Sequence, residues 1–425
     1  MEQDECASLR PWPGKVSSPE AGIRLGRALA TDRRRVVVVT DAADSSRMMC
    51  EALVSGVLSQ GADAIDGGVA PEPAAAFAAR MGDCAVFVKE SGHESEYVVY
   101  NADGSPLTKE QIRHVETSSG SNPVPDYARI GKRLYYGRSA EDYAGYLMSE
   151  LGKAYKAPTA VDCRCGTAAL VAPMILGPDV VSLDGHPDSG PWSEEPQLDE
   201  HGLSSLRDLV GSKDGYIGVG FDRAGSKAAM VDESCGLIEP SKAAAMIVSY
   251  LKPKKVVVSA DTSSLVEDAF DGAEYLIASC DAGSVAEKMA REGADIGVCE
   301  AGILYKGLPA PDPFRTAAIL SELAYSNSLK GLCQKMPQHH RRVEILPIDD
   351  EDAFSRGMNE KTEEMQCVRK SVADGWRIDL ESGWFLVRRP YKGHVAVLAE
   401  STDKAYLIGL METASDLVRA SSHYQ

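Results

Sequence analysis

Ser91 lies at the centre of Lys89-Glu90-Ser91-Gly92-His93-Glu94-Ser95-Glu96-Tyr97, just after the apolar run Ala85-Val86-Phe87-Val88. A hydroxyl on the loop that leaves a buried strand is how α/β enzymes hold a nucleophile, because the strand fixes the backbone while the loop exposes the side chain. Ser91 is therefore the first candidate catalytic residue, with His93 beside it. The two side chains are expected to point to opposite sides of the extended chain, so a Ser91–His93 nucleophile–base pair is the weaker chemistry. A second candidate is cationic: Arg388, Arg389, Lys392 and His394 cluster in an otherwise acidic chain. Arginine forks onto phosphate oxygens, so an anion site competes here with a solvated turn. Cys163-Arg164-Cys165 is the one close cysteine pair, and with no second Cys or His pair at zinc spacing it reads as structural.

The elements that must position these groups recur along the chain. Val36-Val37-Val38-Val39-Thr40-Asp41, Ala160-Val161-Asp162 and Val256-Val257-Val258-Ser259-Ala260-Asp261 each run an apolar strand into Asp, with Ser or Thr following. A β-branched run is a strand buried on both faces, and the Asp/Ser/Thr cluster is expected to cap the helix that follows. The pattern returns about every 100 residues, near the roughly 150 expected per domain. Boundaries are expected near Tyr136-Gly137-Arg138, Ile238-Glu239-Pro240 and Pro337-Gln338-His339-His340, where Pro, Gly or polar residues interrupt the periodicity. The remaining residues differ: a helix, strands over 376–380, 384–387 and 395–400, and a closing helix over 403–420. The fold class is thus α/β, with three similar mixed-sheet α/β domains plus a C-terminal α+β domain around a central cleft. Their spans are 1–138, 139–239, 240–340 and 341–425.

Composition narrows the function classes. The 425 residues carry a net charge of −18, which repels nucleic acid unless a basic stripe offsets it, and the longest basic run is only Lys252-Pro253-Lys254-Lys255. No window approaches the roughly 18 consecutive apolar residues of a membrane helix. The acidic start Met1-Glu2-Gln3-Asp4-Glu5 lacks an apolar signal region, so a cytoplasmic location is expected. The ten cysteines, scattered in a chain of this length, read as reduced thiols.

In the order and spacing of Gly61-Ala62-Asp63-Ala64-Ile65-Asp66-Gly67-Gly68-Val69-Ala70-Pro71-Glu72-Pro73, Tyr100-Asn101-Ala102-Asp103-Gly104-Ser105-Pro106-Leu107-Thr108 and Val285-Ala286-Glu287-Lys288-Met289, the chain resembles the α-D-phosphohexomutases. That resemblance implies four domains, each giving one loop to a cleft, and places Ser91 at the family's phosphoserine. It places Arg10 at the arginine that faces the phosphoserine. It also implies Mg²⁺ on three carboxylates of Asp-Gly-Asp-x-Asp-Arg, but the matching stretch is Asp222-Arg223-Ala224-Gly225-Ser226-Lys227, with one carboxylate kept. Mg²⁺ is therefore expected to bind weakly or not at all, with Asp222 its one remaining ligand. Arg223 and Lys227 either substitute electrostatically for the ion or are solvated on a turn. The family's sugar-reading Gly-Glu-x-Ser-Gly-His becomes Gly297-Val298-Cys299-Glu300-Ala301-Gly302, leaving Glu300 to reach a hydroxyl. Its phosphate loop becomes Arg388-Arg389-Pro390-Tyr391-Lys392-Gly393-His394.

Two functions follow. One is a divergent family member that binds a phosphosugar or another small anion with little or no mutase turnover, acting alone, as a homo-oligomer or beside a competent mutase. The alternative is an active phosphomannomutase, phosphoglucomutase or phosphoglucosamine mutase passing phosphoryl through phospho-Ser91. Phosphoryl transfer rests on positioning and charge neutralisation, so the altered loops favour the first reading.

Overall fold

A computed structural model describes residues 18–92, 94–118, 127–152, 154–188, 197–391 and 393–422. Four five-stranded sheets follow one another along the chain. The first, in the order β4-β3-β1-β2-β5, holds β1 (Arg35–Thr40), β2 (Asp63–Val69), β3 (Cys84–Ser91), β4 (Glu94–Asn101) and β5 (Arg133–Tyr135). The second, β10-β9-β8-β6-β7, holds β6 (Thr159–Asp162), β7 (Val181–Leu183), β8 (Ile217–Phe221), β9 (Ala228–Val231) and β10 (Leu237–Ile238). The third, β12-β11-β13-β14-β15, holds β11 (Lys255–Ser259), β12 (Glu274–Ala278), β13 (Ile296–Cys299), β14 (Gly302–Tyr305) and β15 (Leu308–Pro311). The fourth, β16-β20-β19-β18-β17, holds β16 (His340–Pro347), β17 (Arg369–Ser371), β18 (Trp376–Leu380), β19 (Gly383–Tyr391) and β20 (His394–Ser401), and is antiparallel throughout.

The first three sheets share one plan. A central strand (β1, β6 or β11) lies parallel to both neighbours, and one neighbour turns back as an antiparallel hairpin. The central strands are the β-branched runs, and Val36 to Val39 and Val256 to Val258 are wholly buried, as strands covered on both faces must be. The chain thus has the mixed α/β sheets expected of it, followed by an α+β unit closed by the helix Lys404–Ser422.

The repeated aspartates do not cap helices. Asp41 Oδ1 accepts from Ala43 N at 3.0 Å and Asp162 Oδ1 from Arg164 N at 3.0 Å, so each turns the chain two residues on. The helix Asp44–Ser59 starts one residue later, with Ala43 at its cap. Two further strands, β16 and β17, extend the C-terminal unit beyond the expected set.

One apolar core runs through the first three sheets. Phe221, the last residue of β8, stacks on Phe314 at 4.5 Å between ring centroids, and Tyr143 meets Phe314 edge-on at 6.2 Å. Burying a Phe stabilises by about 1.5–3 kcal/mol, so the β8 end is firmly anchored just before Asp222. The third and fourth sheets join through a polar seam. The fully buried Arg377 donates to the carbonyls of Ala260 and Thr262 at 2.9 and 3.2 Å, and its guanidinium lies 4.1 Å from the Trp384 ring centroid. No helix among the described residues is long and apolar enough to cross a membrane.

Candidate active site

Each candidate stretch sits at or near the tip of a hairpin, and in the first three sheets that hairpin is the equivalent one. Ser91 ends β3 and pairs with Glu94 of β4; Asp222 to Lys227 join β8 to β9; Glu300 lies between β13 and β14; Arg388 and Arg389 approach the tip of β19–β20. Ser91 is exposed. It lies within the strand rather than on a loop beyond it, because the ladder continues through Lys89↔Glu96, Glu90↔Ser95 and Ser91↔Glu94. Gly92 makes the turn with φ of 63°, a conformation that costs a residue with a Cβ.

Asp41 braces this hairpin from behind. Its Oδ2 accepts from Glu90 N at 2.8 Å, and its own N donates to the Val88 carbonyl at 3.0 Å. Burial pushes the Asp41 carboxyl above its ordinary value, and the hydrogen bonds from Glu90 N and Ala43 N offset part of that rise.

Strand alternation places Lys89 and Ser91 on one face of β3. Lys89 Nζ lies 3.1 Å from Glu72 Oε2, 3.6 Å from Glu96 Oε2 and 3.3 Å from Ser226 Oγ. Glu72, at the start of the helix Glu72–Ala78, also accepts from Tyr100 Oη at 2.6 Å and from Ser226 Oγ. Burial alone would raise Glu72 and lower Lys89. The opposite happens to both: Lys89, Ser226 and Tyr100 hold the carboxyl below its ordinary range, and Glu72, Glu96 and Asp222 hold the ammonium above its own.

The β8–β9 tip closes over this pair. Asp222 Oδ1 accepts from Ser226 N at 2.6 Å and from Lys227 N at 3.0 Å, folding the loop back on its first residue. Gly225 has φ of 65°, and a Cβ there would meet Pro71 Cβ at 2.6 Å, so the tip needs glycine twice over. Glu72 N donates to the Ala224 carbonyl at 3.1 Å. Arg223 is buried rather than solvated. Its Nη1 lies 3.4 Å from Glu90 Oε2 and its Nη2 donates to the Asp188 carbonyl at 2.7 Å. Lys227 is exposed.

The other candidates stand on the hairpins of the third and fourth sheets. Glu300 is exposed at its own turn. Arg388 Nη1 stands 4.0 Å from Asp261 Oδ2 and 3.9 Å from Asp374 Oδ2. Arg389 Nη1 lies 3.8 Å from Glu351 Oε2. Arg10, His93 and Lys392 fall outside the described residues. Lys89, Glu72 and Asp41 were not among the candidates. Their signal in sequence is faint: a lysine beside the serine, and acidic residues inside framework stretches.

Known proteins resemble this chain in sequence and in fold. Residues 18–123 match the profile of phosphoglucomutase/phosphomannomutase, alpha/beta/alpha domain I. A probable phosphoglucosamine mutase of Methanosarcina acetivorans is 27% identical over 412 residues, covering 94% of this chain and 95% of the relative. A phosphoglucomutase/phosphomannomutase family protein of Burkholderia thailandensis shares the fold at a TM-score of 0.77 and 19% identity, covering 99% of this chain and 96% of that one. Residues 18–123 thus match domain I of that family, and the chain as a whole is similar to phosphohexomutases along nearly its full length. Among structures of such phosphohexomutases, the Aspergillus fumigatus N-acetylphosphoglucosamine mutase, described in complex with GlcNAc-6P and magnesium, shares the fold at a TM-score of 0.55 and 13% identity, covering 91% of this chain and 77% of that one.

Proposed function

We propose that this chain is a hexose-phosphate mutase of the glucosamine-phosphate class, carrying its phosphoryl group on Ser91. In this reading phospho-Ser91 gives its phosphoryl to a free hydroxyl of the sugar phosphate, and takes back the phosphoryl from the other end of the bisphosphate so formed. What carries the reading is the junction of two hairpins, an exposed Ser91 beside the Asp222–Lys227 turn. It stands in a chain aligned along 94% of its length with a relative named for that activity. Each sheet with its helices would be one domain, divided at 138/139, 239/240 and 340/341. In support, helices begin at Ser139 and Pro240 and β16 begins at His340.

Magnesium does not fit the residues at this junction. Mg²⁺ wants several hard oxygens in octahedral array. Here the turn keeps a single aspartate, one oxygen of which already accepts two amide N–H bonds; Glu72 is engaged by Lys89, Tyr100 and Ser226; and an ammonium stands among them. Charge neutralisation at Ser91 therefore falls to Lys89 and Arg223, each already shared with carboxylates.

A second reading, phosphosugar binding without turnover, draws on the third hairpin. Cys299 and Ala301 flank Glu300, so the turn offers one polar side chain to a sugar, and an unmatched hydroxyl costs about 1–3 kcal/mol. Intact-mass analysis after incubation with glucosamine 1,6-bisphosphate separates the two. The mutase reading expects one phosphoryl group added to the wild type and none to Ser91→Ala; an unmodified wild type that still binds the bisphosphate supports the second.

A further inference from the structure

Lys89 is held by side chains of both hairpins, Glu96 and Ser226, and of the helix Glu72–Ala78. Its Nζ donates to Glu72 Oε2 at 3.1 Å and to Ser226 Oγ at 3.3 Å, and Glu96 Oε2 faces it as an ion-pair partner at 3.6 Å, so the protein itself surrounds the ammonium with oxygens. The Lys89 side chain is only 15% exposed. Two of its partners also bond each other, Ser226 Oγ donating to Glu72 Oε2. Ser226 stands four residues after Asp222, where the resemblance calls for a carboxylate of the metal loop. We propose that Lys89 is the resident cation of this site: its ammonium occupies the seat a divalent metal would take, and the protein binds no divalent cation there. The proposal rests on reading the β8–β9 tip as that loop, but not on turnover.

Three features converge on this assignment. The carboxylates that would ligate an ion are spent, Glu72 on Lys89, Tyr100 and Ser226, and Asp222 Oδ1 on two backbone amides. A dication brought beside a fixed ammonium is repelled by it, in an environment where charges are poorly screened. Finally, the lysine shares the serine's face of β3, so its positive charge acts on whatever Ser91 carries. One fixed positive charge then does the work otherwise given to a mobile dication, and it cannot be removed by a chelator.

The test is a Mn²⁺ titration of the full chain followed by electron paramagnetic resonance, with Mg²⁺ as competitor. Wild type and Ser226→Asp, which both keep the lysine, are expected to leave the free Mn²⁺ signal undiminished into the millimolar range. The double variant Lys89→Thr/Ser226→Asp is expected to bind Mn²⁺ at least about tenfold more tightly than wild type, and to release it to Mg²⁺. The proposal is overturned if wild type binds Mn²⁺ and Asp222→Ala abolishes that binding, if Ser226→Asp alone binds as well as the double variant, or if a folded double variant binds none. Should circular dichroism show the double variant unfolded, the wild-type and Ser226→Asp titrations still decide, since binding by either that Asp222→Ala abolishes contradicts exclusion by Lys89. These readouts are independent of catalysis, so an inactive protein that excludes Mn²⁺ contradicts the mutase reading alone.

Discussion

Lys89 Nζ stands 3.3 Å from Ser226 Oγ, and through that contact the hairpin ending in Ser91 is tied to the hairpin beginning at Asp222. The residues are 137 positions apart in sequence, and Glu72 completes the link from a third element. A buried charge is tolerable only when paired and hydrogen-bonded, so the two sheets are coupled by the requirement that this ammonium keep its partners.

Removing that charge is expected to be costly. Lys89→Met leaves the largely buried Glu72 without its counter-charge, and for a pair that keeps some exposure the cost is expected below the roughly 3–5 kcal/mol of a fully buried one, at about 2 kcal/mol. Urea unfolding should show a lowered midpoint, with Lys89→Met/Glu72→Gln recovering part of the loss. A Lys89→Met midpoint equal to wild type would show that the pair contributes nothing to the junction.

Acid is expected to open the seam between the third and fourth sheets. Burial would raise the Glu400 carboxyl, but the hydrogen bond to His339, the Arg341 charge and two bonds from Ser264 hold it at about 2, against an ordinary 4.5. A depressed carboxyl contributes stability that is complete above its unfolded value and lost as pH falls through the folded one. The contribution, about 3 kcal/mol, should therefore vanish between pH 4.5 and 2. Trp384 Nε1 donates to Glu400 Oε1 at 3.1 Å, so tryptophan fluorescence reports the change. Glu400→Gln should remove this acid transition, and a transition unchanged in that variant would assign it elsewhere.

Arg388 is expected to be the main phosphate contact of the fourth sheet. Its Nη1 lies 3.9 Å from Asp374 Oδ2 and 4.0 Å from Asp261 Oδ2, and a guanidinium fork matches the geometry of phosphate oxygens. Arg388→Gln should weaken glucosamine 6-phosphate binding about tenfold by calorimetry, and rising salt should weaken the wild type. Unaltered affinity in the variant would place the phosphate elsewhere.

Much of the framework was legible in sequence because its signals are local. The valine runs of β1 and β11 announce doubly covered strands, and β18 spans 376–380 as read from its apolar pattern. Strand β16 escaped notice because its pattern is reversed: Val343 and Ile345 face solvent at 57% and 55% exposure, so apolar alternation points to no buried face. The serine was legible from its apolar strand, but not its place inside a hairpin, since the pairing of Lys89-Glu90-Ser91 with Glu94-Ser95-Glu96 joins two polar stretches. The loop substitutions at Ala224 and Ser226 were visible as departures from a pattern. What fills the space they leave was not, because Lys89 and Ser226 meet only once two sheets are docked.

Turnover in the absence of metal tests the account most directly. Chelator-treated wild type, primed with glucosamine 1,6-bisphosphate, should interconvert glucosamine 1- and 6-phosphates at a rate that added Mg²⁺ leaves unchanged, and Ser91→Ala should lose it. A wild type that is inactive under chelation and restored by Mg²⁺, or that stays inactive in both conditions, contradicts the account.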